Sequence, residues 1–149
     1  MRKNGFTLIE VIAVLVLLGL LFVMAGGGIA AGARGYLLAR ENSVLSQKAQ
    51  LALSRMVREF QDCFDCVGPE GAVALPFSYT NIRQDTPANV LAFSGGTITL
   101  DGNVLVDQVA AFNLSYSAAG QLEIDLRLAH RSGGVPVLFA TSVLPRNTY

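Results

Sequence analysis

From Val11 to Ala33 the chain carries no charged side chain, and that run constrains the fold more than any other feature. About 20 consecutive apolar residues suffice to cross a bilayer. A lone segment in lipid must satisfy its own backbone polar groups, which only a helix does. One acidic residue, Glu10, stands at the head of the run, after Arg2-Lys3-Asn4-Gly5-Phe6-Thr7-Leu8-Ile9. A carboxylate inside such a segment costs roughly 2.5–3.5 kcal/mol on insertion scales. Glu10 therefore calls for a partner, and the run contains no cation to supply one.

Arg2 and Lys3 precede the run. By the positive-inside rule the N-terminus stays cytoplasmic and the rest of the chain lies across the membrane. In a bacterial envelope that places Cys63 and Cys66 in an oxidising space. A secretory signal peptide is the plain alternative, with Ala31-Gly32-Ala33 as its cleavage site. Its apolar region is usually about 7–15 residues; this run is longer and carries Glu10 near its cytoplasmic end.

The chain has 149 residues, enough for one modest domain plus an anchor. Eleven basic and eleven acidic residues give a net charge of zero. Nucleic-acid binding wants a clustered basic face, so no nucleic-acid partner is expected. Mean hydropathy is +0.46, and the excess sits in residues 6–33.

Gly5-Phe6-Thr7-Leu8-Ile9-Glu10, between a short basic leader and an apolar run, resembles the N-terminus of type IV pilins and pseudopilins. The resemblance covers the leader and the apolar helix. It implies that a prepilin peptidase cuts between Gly5 and Phe6 and that Phe6 is then N-methylated. It also implies that Glu10 of one subunit meets the Phe6 amine of a neighbour. The chemistry agrees, because cleavage creates a cationic amine that methylation keeps charged. Such a pair is far stronger in a low dielectric than in water. The alternative is that Glu10 snorkels to the headgroups. Partners implied are other pilin-like subunits, the prepilin peptidase and an inner-membrane assembly platform.

Beyond the run, Leu45, Ala49, Ala52, Met56 and Phe60 recur at three- and four-residue steps, one face of a helix. No proline appears before Pro69, so the spacing predicts a helix from about residue 6 to about 64. The stripe reads as an internal core; a coiled-coil seam is disfavoured because the heptad signal is short. Gly26, Gly27 and Gly28 interrupt the helix-forming composition, at about 1 kcal/mol each relative to alanine. Many pilins carry a helix-breaking proline in this region, and this chain has glycines instead. Gly28 and Gly32 also form a small-xxx-small spacing. The glycines are thus candidates for a hinge or a packing face, unless they merely tolerate lipid.

From Val67 the chain turns loop-rich, with Gly68-Pro69, Gly71, Pro76 and Pro87, and then strand-like. Strands are expected at Val90–Phe93, Thr97–Leu100, Val104–Val106, Phe112–Tyr116, Leu122–Leu128 and from Val135 to about Leu144. Asp101-Gly102-Asn103 is a hairpin signal. Leu122, Ile124, Leu126 and Leu128 alternate with Glu123, Asp125 and Arg127, giving one buried and one wet face. The expected class is α+β: a long N-terminal helix whose second half packs on a small antiparallel sheet. The expected divisions are a leader (1–5), a membrane or filament-core helix (6–33), an amphipathic half (34–66) and a sheet domain (67–149). The order Val109–Tyr116, Gly120, Gln121–Leu128, Leu144-Pro145-Arg146-Asn147, with the helical stretch Gln47–Phe60, is similar to W-type minor pilins and J-type minor pseudopilins.

Cys63-Phe64-Asp65-Cys66 falls near a helix C-terminus, where the dipole disfavours a thiolate. It is read as a small disulfide closing the helix, with free thiols as the next alternative. No second C-x-x-C completes a zinc site. Asp101, Asn103 and Asp107 lack the spacing of a calcium loop, and His130 reads as a solvated loop residue. No metal, cofactor or catalytic set is expected. The expectation is a non-enzymatic minor subunit, single-pass in the inner membrane and then in a pilus or type II secretion pseudopilus. The alternatives are a major subunit or a tip adhesin or DNA-uptake subunit. No cysteine follows Cys66 to bound a C-terminal loop of the major-subunit kind.

Overall fold

A computed structural model of the chain describes residues 7–81, 88–131 and 133–146. Gly5 and Phe6 lie outside the described residues. The architecture is α+β: one long helix and two antiparallel four-stranded sheets. The helix, α1, spans Leu8–Gln61, 54 residues. The strands are β1 (Gly71–Ala72), β2 (Phe77–Tyr79), β3 (Asn89–Ser94), β4 (Thr97–Leu100), β5 (Asn103–Val106), β6 (Val109–Tyr116), β7 (Leu122–Leu128) and β8 (Val137–Val143). One sheet has the order β1-β6-β7-β8 and the other β2-β3-β4-β5.

Contacts divide the chain into two units, Met1–Glu41 and Asn42–Tyr149. The described part of the first is helix with no buried side chain. In the second, the buried residues of α1 are Leu45, Ala49, Ala52, Met56 and Phe60. They are the stripe that helical periodicity marks out. They share one apolar cluster with Tyr79, Leu91 and Ile98 of one sheet and Leu114, Ile124 and Leu126 of the other. Burying each large side chain is worth roughly 1.5–3 kcal/mol. Phe60 sits edge-on to Phe77 at 6.0 Å and to Tyr79 at 5.2 Å. Burial raises the Tyr79 hydroxyl above its ordinary titration range, assisted by the nearby Glu59 carboxylate.

Three expectations are corrected. One sheet was expected and two form, because the chain changes sheet at Asp107-Gln108. Gln108 takes φ +63° there, a left-handed conformation that costs a non-glycine residue roughly 1–2 kcal/mol. Hydrogen bonds hold the corner: its carbonyl accepts from Ala129 N at 2.8 Å and its side-chain oxygen from Lys48 Nζ at 2.8 Å. The stretch after Val67 contains two short strands, β1 and β2. Each is too brief to show a period of its own, and each borrows its order from a longer neighbour, β6 or β3. The helix stops at Gln61 rather than near 64. Cys63 has already bridged to Asn81 there, and the Gln61 carbonyl accepts from Arg146 N at 3.1 Å. An end carbonyl that the helix cannot satisfy is thus covered by the chain after β8.

Other elements follow the sequence closely. Residues of β7 alternate strictly between buried and exposed. Asp101 and Gly102 join β4 to β5 with φ +51° and +77°, the positive pair that a type I′ hairpin turn requires. Gly68 is constrained by packing: a Cβ built there would lie 2.6 Å from Cε2 of Tyr116. Gly68→Ala should destabilise the second unit by about 1–3 kcal/mol through overpacking. Thermal unfolding followed by circular dichroism reads this directly. A variant melting with wild type shows that the ring yields freely.

Candidate functional site

Glu10 occupies the first turn of α1. Thr7 starts that turn, its carbonyl accepting from Glu10 N at 3.1 Å and Val11 N at 3.3 Å. The side chain is exposed beside a hollow walled by Val11, Val14 and Leu15. Negative charge is favoured at a helix N-terminus, which lessens its cost without giving it a partner. An exposed carboxylate on an apolar wall can take one cation from another molecule and bury the pair on contact. Leu8, Ile9, Val11, Ile12, Val14 and Leu15 around it are all open. The most apolar stretch of α1 reaches a mean hydropathy of 2.9 with none of it buried. Length and composition suffice for one membrane crossing.

Gly26, Gly27, Gly28 and Gly32 all lie within α1, and a Cβ at any of them would meet nothing within 4 Å. Gly28 and Gly32, four residues apart, share one face of the helix.

At the other end of α1, Cys63 and Cys66 are joined by a disulfide, their Cα atoms 5.7 Å apart, and both are buried. The loop they close is fastened to the end of β2. Phe64 N donates to Thr80 O at 2.8 Å, and Asp65 Oδ1 accepts from Thr80 N at 2.8 Å. Donor atoms of Cys63, Asp65 and Cys66 lie within 4.8 Å of one another. The two sulfurs are bonded to each other, however, so the trio is no ligand set while the disulfide stands. Asp101, Asn103 and Asp107 are not gathered together. Asp101 Oδ1 accepts from Val90 N at 2.7 Å, and Asn103 Nδ2 donates to Asp101 O at 3.4 Å. Asp107 instead pairs with Lys48 at 2.5 Å.

Periodicity missed that clasp, because its partners are 59 residues apart and no local pattern links them. The Lys48 ammonium beside it holds the Asp107 carboxyl below the usual carboxylate range. A depressed carboxyl pKa contributes stability that is complete above the unfolded value of about 3.9 and fades as pH falls through the folded value. The pair is half exposed, so its worth stays below about 1 kcal/mol. Asp107→Asn should lower stability at pH 7 by less than about 1 kcal/mol and leave it nearly unchanged at about pH 2, so that the acid limb flattens. Denaturant midpoints at both pH values check this; an unaltered acid limb contradicts it. His130 also departs from expectation. It is half-buried, with Nε2 2.7 Å from Asn42 Oδ1, and among the described residues its Nδ1 is enclosed without a partner.

The model of the prokaryotic N-terminal methylation motif matches residues 1–26. No curated protein and no solved structure matches the chain. The matched segment contains Glu10 and runs into the exposed apolar helix. That motif over residues 1–26, with a single helix of this length and hydropathy behind it, supports a type IV pilin-like protein.

Proposed function

We propose that the chain is a minor subunit of a pilus-like or type II secretion filament, built in at few copies or at its initiation. The observation that carries the subunit reading is the methylation motif set directly on an unburied apolar helix with Glu10 in its first turn. In this reading residues 1–5 are a leader, removed between Gly5 and Phe6, and Phe6 is N-methylated. Residues 6–33 anchor the chain in the inner membrane and later in the filament core. Residues 34–66 carry the sheet domain, 67–149, on the periplasmic side. Glu10 takes the Phe6 amine of a neighbouring subunit, and Gly26 to Gly28 give the helix its point of bending on transfer.

The minor role rests on likeness of strand order to W-type and J-type subunits and on the lack of any cysteine beyond Cys66. The work is done by packing and charge pairing rather than by catalysis. The test is quantitative mass spectrometry of sheared filaments and of cross-linked membranes. The expected result is this chain linked to other pilin-like subunits at a small fraction of the most abundant one. Equal abundance reassigns it as a major subunit. Absence of any pilin-like neighbour contradicts the assembly role.

A further inference from the structure

Among the described residues, four strands lie at sheet edges: β1, β8, β2 and β5. Three are short, with two, three and four residues for β1, β2 and β5. The fourth, β8, has seven, paired without a bulge along its whole length to β7. An edge strand offers a row of unpaired N–H and C=O groups to any other strand. Proteins usually blunt such edges with short length, lysine, inward charge, bulges or proline. β8 has none of these within it. No charged residue occurs from Gly133 to Leu144, and the prolines stand only at its borders, Pro136 and Pro145. Leu138, Ala140 and Ser142 are exposed along its outer face.

We infer that β8 pairs antiparallel with β8 of a second copy of this chain, about a two-fold axis at Ala140. Ala140 is the midpoint of Val137–Val143, so this register pairs the most residues and places only methyl groups at the axis. It sets Val137 opposite Val143 and Phe139 opposite Thr141. The two inner apolar faces therefore run on into one another.

Charge on the neighbouring strand tilts the balance toward the antiparallel orientation. Glu123 is paired across β7 and β8 to Ser142, and Arg127 to Leu138. Antiparallel pairing at Ala140 brings Ser142 of one copy opposite Leu138 of the other. Each Glu123 then lies in line with the other copy's Arg127, twice per pair. The Asp125–Asp125 row is repulsive; every row spans three strand spacings, about 14 Å, and is weak at physiological salt, where the Debye length is about 8 Å, so two attractive rows against one repulsive row give a small net preference. Parallel pairing would set like charge against like in every row.

One strand-on-strand contact lies at the small end of specific interfaces, below about 1,200 Å². It suits chains already concentrated by anchorage in one membrane. The inference uses the proposed anchor only as that source of concentration.

The test is cysteine cross-linking of the full chain in membranes under a mild copper-catalysed oxidant. Ala140→Cys should give a covalent homodimer, because residues opposite each other at the axis have Cα atoms about 4.5–5.5 Å apart, within disulfide reach. Ser142→Cys alone should give at least tenfold less, since its two copies stand about 13 Å apart along the strands. Mixed with Leu138→Cys it should link heterotypically. Adding Ala140→Lys should abolish that mixed link. Equal linking at all positions, persistence of the mixed link with Ala140→Lys, or linking only to a chain of another mass overturns the inference. Carbonate extraction tests the anchor separately. If the chain is released, the same links are read at raised protein concentration, with the same two outcomes.

Discussion

Glu10→Ala should leave the chain in the membrane and lower its recovery with neighbouring subunits by about thirtyfold or more. That factor corresponds to about 2 kcal/mol, the lower end of the cost of truncating one partner of a buried charge pair. Removing the carboxylate also removes its insertion cost of roughly 2.5–3.5 kcal/mol, so membrane partitioning should improve. The two effects have opposite signs, and this separates an assembly role from a folding or anchoring one. A merely snorkelling carboxylate would change neither partner recovery nor filament yield. Co-purification from detergent-solubilised membranes reads the first effect and carbonate extraction the second. Recovery at the wild-type level removes the Glu10 contact from the account.

Phe60→Ala should have the largest effect on stability. Phe60 is fully buried and packs its ring against Phe77 and Tyr79. Truncating such a ring costs about 3–5 kcal/mol, against a total of about 5–15 kcal/mol for a typical domain. The unit Asn42–Tyr149 should lose about a fifth or more of its stability, while the first unit keeps its helix. Leu51 makes a sharp control: it lies on the same helix but is 71% exposed. Leu51→Ala should stay within about 0.5 kcal/mol of wild type. Denaturant unfolding of both variants, followed by far-ultraviolet circular dichroism, checks the contrast. Equal midpoints contradict the shared core.

The parts of this fold that repeat locally were legible in the sequence. The five buried positions of α1 and the four of β7 announce themselves because burial on a regular element imposes a fixed period, and Asp101-Gly102 fits its hairpin because few residue pairs take two positive φ values. The parts that depend on distant neighbours were not. β1 and β2 exist through β6 and β3, and the change of sheet at Gln108 has no glycine or proline to mark it. Lys48 and Asp107 are joined only once the chain has folded back. Tyr116 explains Gly68 in the same way, through a contact between loop and strand.

The candidate site divides along the same line. Glu10 was conspicuous because an acidic residue is costly beside an apolar run. Its position in the first turn, with Thr7 closing the turn, adds the favourable end of the helix dipole. The long bare edge of β8 was visible as an uncharged strand. That it lies at an edge is a property of sheet order, which alternation does not encode.

The intact mass and N-terminal fragments of the chain extracted from membranes test the central claim most directly. The account predicts a mature protein beginning at Phe6, with one methyl group on its amine and Cys63 joined to Cys66. A chain that still begins at Met1, or one that begins at Arg34 after cleavage behind Ala33, contradicts it.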